Sequence, residues 1–179
     1  MLRTYIISPL TTVMREDLET EEVWTFREKV KKELVGMIEV IDPIRLEYET
    51  TGLTVHEAFN YIGQLKKARR FKEAANFVNN IIDIDLGAVK KSNFVIAYIH
   101  SKLHTVGGIH EMVEASYYKI PIYLTSDNLE ELNAWIMSLT YKSGGEMFES
   151  VDDLVYYIKD MCSENQDLSL ITKINGGVV

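Results

Sequence analysis

A chain of 179 residues, 46% apolar and 26% charged, has the size and composition of one globular domain, not of a fibre or a disordered segment. A domain of this length buries roughly 70% of its unfolded surface, so it needs no disulfide or metal to hold it together. A net charge of −8 argues against a nucleic acid polymer as partner but leaves small anionic ligands open, because backbone N–H groups and one or two cations suffice to hold them.

The single cysteine, Cys162, cannot form an internal disulfide, which fits a reducing compartment. The opening MLRTYIISPLTT carries an apolar run too short for a secretory h-region, and no apolar run approaches the length of a membrane span. The expectation is a cytoplasmic protein with no membrane partner.

In chain order, Thr4 to Ser8 reads as a buried strand stopped by Pro9. Glu16 to Leu34 is charged with an apolar stripe through Val23, Phe26, Val30 and Leu34, a helix closed by Gly36. Met37 to Pro43 is a second strand, and Ile44 to Thr54 reads as irregular. Val55 to Ile82 has helical pattern, and Asp85 to Ser92 reads as a separate short helix. Asn93 to Ile99 is nearly all apolar, as a parallel strand covered on both faces should be. Gly108 to Tyr118, Asn128 to Leu139 and Val151 to Met161 read as helices, Ile120 to Leu124 and Glu146 to Ser150 as strands. Residues 163–179 have weak pattern and form a tail after a single domain spanning 1–162.

Strands alternating with helices imply an α/β fold: a flavodoxin-like, doubly wound, five-stranded parallel sheet of order 2-1-3-4-5, with helices on both faces. Ligands bind such sheets at the carboxyl ends of strands 1 and 3, where the strand order reverses. The segments expected there are Ser8-Pro9, the region around Asp85, and the loop from His100 to Gly108.

Glu111 follows Gly107 and Gly108 at the start of a helix on that rim. The glycines let the backbone approach a ligand, and the helix dipole favours an ionised carboxylate in the first turn. Such a carboxylate is either an ordinary helix-start residue or a nucleophile toward a sugar carbon. Asp85 is an N-cap by its position, or a second carboxylate handling the proton of a leaving group.

The block DLGAVKKSNFVIAYI…VGGIHEMVEASYYKIPIYL, with TYIISPL before it and LNAWIMSL after it, resembles the nucleoside 2-deoxyribosyltransferase family, including its deoxynucleoside-monophosphate glycohydrolase relatives. The similarity covers most of residues 4–160, carried by Asp85 eight residues before Asn93 and by the spacing of Gly107 to Glu111. It implies an enzyme that cleaves or transfers the N-glycosidic bond of a 2′-deoxynucleoside or its monophosphate. By this resemblance Glu111 is the nucleophile at C1′, Asp85 handles the proton or orients the sugar, and Tyr5 fixes the glutamate. Ser8, Pro9, Gly107 and Gly108 would contact substrate, and Asn133 would reach the sugar 5′ end, across a subunit boundary in a homo-oligomer (dimer or higher). A nucleobase or water would accept the sugar, with no cofactor and no metal. The chain departs from the family at Gly108, Thr105 and Val113, where members often carry Thr or Ser, an acidic residue, and Gly. A non-catalytic nucleotide-binding or sensing module on the same fold is the alternative.

Of the other candidates, His100 and His104 have no carboxylate pattern around them to make a metal site, and His110 points away from Glu111 on a helix. The run Lys66, Lys67, Arg69, Arg70, Lys72 reads as a solvated helix face, or as the source of one cation for a 5′-phosphate. Thr11 and Thr12 are further candidates for a phosphate contact.

Overall fold

The computed structural model describes residues 1–9, 21–101 and 106–175, with side chains through residue 163. Its elements are β1 (Leu2–Ile7), α1 (Glu21–Leu34), β2 (Ile38–Ile41), α2 (Pro43–Thr51), α3 (Val55–Lys67), α4 (Phe71–Lys90), β3 (Phe94–Ile99), α5 (Val106–Tyr117), β4 (Ile122–Ser126), α6 (Ala134–Ser143), β5 (Glu146–Phe148) and α7 (Val151–Asn175). The five strands form one sheet of order β2-β1-β3-β4-β5, parallel at every pairing. This is the flavodoxin-like, doubly wound arrangement expected from the sequence, with its reversal of order between β1 and β3.

Side chains alternate across a strand, and the two faces of the sheet bury different sets. Tyr5, Ile7, Val95, Ala97 and Ile99 pack with Val89 of α4, Met112 and Ala115 of α5 and Ile136 of α6. Ile6, Phe94, Ile96 and Tyr98 pack on the other face with Val23, Phe26 and Val30 of α1 and Leu154 and Ile158 of α7. All six residues of β3 are buried, as its unbroken apolar run required. Tyr5 thus faces the layer that carries Asp85 and Glu111.

Residues 44–54, expected to be irregular, contain α2. Its signals are local: the Asp42 side chain accepts from the Ile44 N–H, Pro43 opens the helix, and Gly52 closes it at φ 69°. A capping box between Thr54 and Glu57 then starts α3. The α3–α4 pair is a helical hairpin across which the rings of Tyr61 and Phe77 meet at 5.2 Å. The helix α4 runs unbroken for 20 residues, so Asp85 sits deep within it and is not an N-cap. The other helix bounds also moved: α6 starts at Ala134, not at Asn128, and α7 continues past Met161 to Asn175.

Two adjacent glycines between α6 and β5 meet different requirements. Gly144 ends α6 at φ 90°, a left-handed conformation. At Gly145 a Cβ would lie 1.8 Å from the Ile122 carbonyl oxygen, so the absent side chain lets β5 approach β4.

Candidate active site

Tyr5, fully buried on β1, donates its hydroxyl proton to Glu111 Oε1 at 3.0 Å. Asp85 approaches the same hydroxyl from α4 and is 7% exposed, with its Oδ1 lacking a hydrogen-bond partner. Both carboxyl groups open on a cavity of about 800 Å³, which is also lined by Ser8 at the end of β1, Glu47 of α2, and Gly107 and Gly108 of α5. The α3–α4 hairpin supplies an apolar wall through Phe59, Ile62, Val78 and Ile81. A concave, largely apolar site with a few convergent polar groups at the strand-order reversal is the common form of a small-molecule pocket.

Burial dominates the electrostatics. It pushes the Asp85 carboxyl up to about 8, helped by the charges of Glu111 and Glu47 and opposed by the Tyr5 hydroxyl. It pushes Glu111 up to about 7, where the Tyr5 hydrogen bond and the positive charge of Arg27 pull down and Glu47 pushes up. Burial also raises Glu47, with Arg27 opposing and Asp42 adding to the rise. Tyr5 is raised well above its ordinary value by burial and by Glu111 and Asp85. The helix dipole does not set the state of Glu111: α5 begins by Val106, so the residue lies in the second turn, where the dipole has faded. The result is a coupled pair of carboxyl groups, both raised by burial so that the pair holds a proton to higher pH than ordinary carboxylic acids do. A glycosidic site needs one acid and one anion, and such a pair can supply both.

The structure brings Tyr5, Ser8, Asp85, Gly107, Gly108 and Glu111 together, and leaves two expected residues out. Pro9 is buried but does not line the cavity, and Asn133 is an exposed N-cap of α6 whose side chain accepts from the Trp135 N–H at 2.9 Å. Of the basic run, Lys66 lines the cavity, while Arg70 is paired with Glu73. His110 also lines it, contrary to its expected direction, and His100 lies 3.5 Å from Asp127. Thr11, Thr12, His104 and Thr105 lie outside the described residues.

Two residues at or behind the cavity carry no sequence expectation. Glu47 lies in α2, within the segment whose pattern reads as irregular. Arg27 is fully buried, donating from one terminal nitrogen to Ser8 Oγ at 2.6 Å and from the other to Asp42 Oδ1. Its signal was present: it falls on the helical stripe of Val23, Phe26, Val30 and Leu34, where an apolar residue is expected.

No protein-family model matches the chain, and no curated protein matches it in sequence. Solved structures do. A 2-deoxyribosyltransferase from the psychrotolerant bacterium Bacillus psychrosaccharolyticus superposes with a TM-score of 0.57 and 16% identity, covering 86% of this chain and 90% of that one. The CMP N-glycosidase BcmB of Clostridium botulinum superposes with a TM-score of 0.50 and 14% identity, over 88% and 97% of the two chains. A conserved protein from Enterococcus faecalis V583 superposes with a TM-score of 0.53 and 16% identity, over 90% and 99%. At these identities the likeness is one of fold.

Proposed function

We propose that the protein cleaves or transfers the N-glycosidic bond of a 2′-deoxynucleoside or its monophosphate through a covalent deoxyribosyl-glutamate. The observation that carries this reading is the buried Tyr5 hydroxyl held between Glu111 and Asp85, the two carboxyl groups that line the cavity. The likeness of fold to a 2-deoxyribosyltransferase and a CMP N-glycosidase supports it.

In the first step a Glu111 carboxylate oxygen bonds to C1′ as the C1′–N bond breaks. The bond pair goes to the base nitrogen, and the leaving base takes the Asp85 proton. In the second step water or another base bonds to C1′, and the carboxylate leaves with the electrons of the ester bond. The incoming nucleophile gives its proton to Asp85, which restores the starting state. Tyr5 holds the glutamate and favours its anion in the free enzyme. In the same reading Asn133, exposed and outside its own chain's cavity, meets the sugar 5′ end in a neighbouring subunit of a homo-oligomer. Asn133→Ala would then raise KM in the oligomer; unchanged kinetics would remove that role.

The test is chromatographic: the four 2′-deoxynucleosides and their monophosphates, each with and without an acceptor base. Free base without an acceptor identifies hydrolysis, and a new nucleoside appearing only with an acceptor identifies transfer. Saturable binding with no product from any substrate would overturn the catalytic reading in favour of a nucleotide-binding module.

A further inference from the structure

The apolar wall of the cavity is not absorbed by the core. Phe59 and Ile62 of α3 and Val78, Ile81 and Ile82 of α4 line the cavity, are partly exposed, and belong to neither core cluster of the sheet. Their spacing is that of one helix face: positions 78, 81, 82 and 85 on α4, facing positions 59 and 62 on α3. The apolar face of α4 therefore ends at Asp85, beside the proposed chemistry. The two helices form an antiparallel hairpin, and the contact of Tyr61 with Phe77 sets their level, so that Asp85 stands beside the first turn of α3 and Val78 beside Asn60. Seven residues of helix separate Asp85 from Val78, a rise of about 10 Å. Along that length the hairpin adds no charged side chain to the cavity, and the next one is Lys66, nearer the tip.

We propose that the groove between α3 and α4 is the leaving-group subsite, and that it takes a base carrying an alkyl or aryl substituent on the edge remote from the glycosidic nitrogen. The inference rests on the reading of Asp85 as the group that gives its proton to the leaving base. That transfer sets the base against Asp85, with C1′ on the side of Glu111. A pyrimidine or purine ring then covers Ile81 and Ile82, within one turn of Asp85, and stops short of Val78 and Ile62. Those outer side chains stay in water unless the base carries an apolar group to cover them, and removing that surface from water is favourable. A polar substituent would lose its hydration there with only Asn60 of the hairpin, beside Val78, to replace it.

The experiment is a calorimetric titration of the whole protein with free bases in two series: adenine and its N6-methyl, N6-ethyl and N6-propyl derivatives, and uracil with the same groups at its 5 position. Kd should fall roughly two- to fourfold per added carbon in at least one series, fourfold being the transfer value of a fully buried CH₂. A Kd that ignores chain length in both series, or no binding in either, would overturn the proposal. Val78→Asn puts an amide in the outer groove, so the affinity ratio of the propyl base to the parent base should shrink by at least about threefold. A ratio that keeps its wild-type value would overturn the placement of the substituent. If that variant does not fold, the wild-type series decides. The titration needs no turnover, so the two readings fail separately. Length-dependent binding in a protein that releases base from no 2′-deoxynucleoside would remove the glycosidic reading and keep the apolar base subsite. Release of base with length-independent binding would do the reverse.

Discussion

Tyr5 and Glu111 are 106 residues apart in the chain and joined by a 3.0 Å hydrogen bond, with the phenol as donor. The bond ties a central strand to the second turn of α5 at the point where the strand order of the sheet reverses. It favours the ionised form of Glu111 against the effect of burial.

Tyr5→Phe removes that donor. A hydrogen bond to a charged group is worth about 1.5–3 kcal/mol, so kcat/KM should fall roughly 10- to 100-fold. Tyr5 favours ionisation of both carboxyl groups, so its loss raises both midpoints. The pH–rate profile of the wild type should be a narrow bell between limbs near 7 and 8, belonging to the pair as a unit. In Tyr5→Phe the whole bell should move to higher pH, measured as kcat/KM against pH. A bell that keeps its position would detach Tyr5 from the titrating pair.

Glu111→Gln keeps the shape and removes the proposed nucleophile. Turnover should drop by at least about 10³-fold with the circular dichroism spectrum unchanged. Wild-type protein quenched in acid during turnover should carry a deoxyribosyl adduct by intact mass, and the variant should not. An adduct persisting in the variant would place the nucleophile elsewhere.

Asp85 makes stability depend on pH. Its folded value of about 8 lies above its ordinary 3.8, so between those values the folded protein holds a proton that the unfolded chain releases. Stability from this group is present below about pH 4, is lost as pH rises toward 8, and is fully lost above it. Asp85→Asn removes the penalty, which is on the order of a few kcal/mol because one pKa unit corresponds to about 1.4 kcal/mol. The variant should gain more Tm over wild type at pH 8.5 than at pH 5. An equal gain at both values would mean that burial does not hold the proton on Asp85.

Gly145→Ala places a methyl group 1.8 Å from the Ile122 carbonyl oxygen, and backbone has no side-chain torsion with which to yield. The loss should exceed about 3 kcal/mol, at the high end for a single substitution. Chemical denaturation would measure it. A loss under about 1 kcal/mol would show that β5 shifts freely against β4.

Much of the architecture was legible because its signals are local. The unbroken apolar run of β3, the apolar stripe of α1 and the alternation of strands with helices dictate a parallel sheet covered on both faces. The helix α2 was legible too, through Asp42, Pro43 and Gly52, and was missed because its residues carry only a weak apolar stripe. Asp85 was misplaced as a cap because an aspartate ahead of a strand resembles a helix start, while the apolar periodicity that continues α4 through it is shared with its neighbours.

By itself the sequence determined the strands and their parallel winding, since periodicity is a property of neighbouring residues, while the family resemblance singled out the candidate pair Asp85 and Glu111. Only the tertiary structure decided that Tyr5 lies between them, that Glu47 joins them, and that Arg27 is buried among the ends of β1 and β2. Protonation was likewise decided there. Burial and the charges of groups distant in the chain raise both Asp85 and Glu111, and both effects exist only once the sheet has brought those groups together.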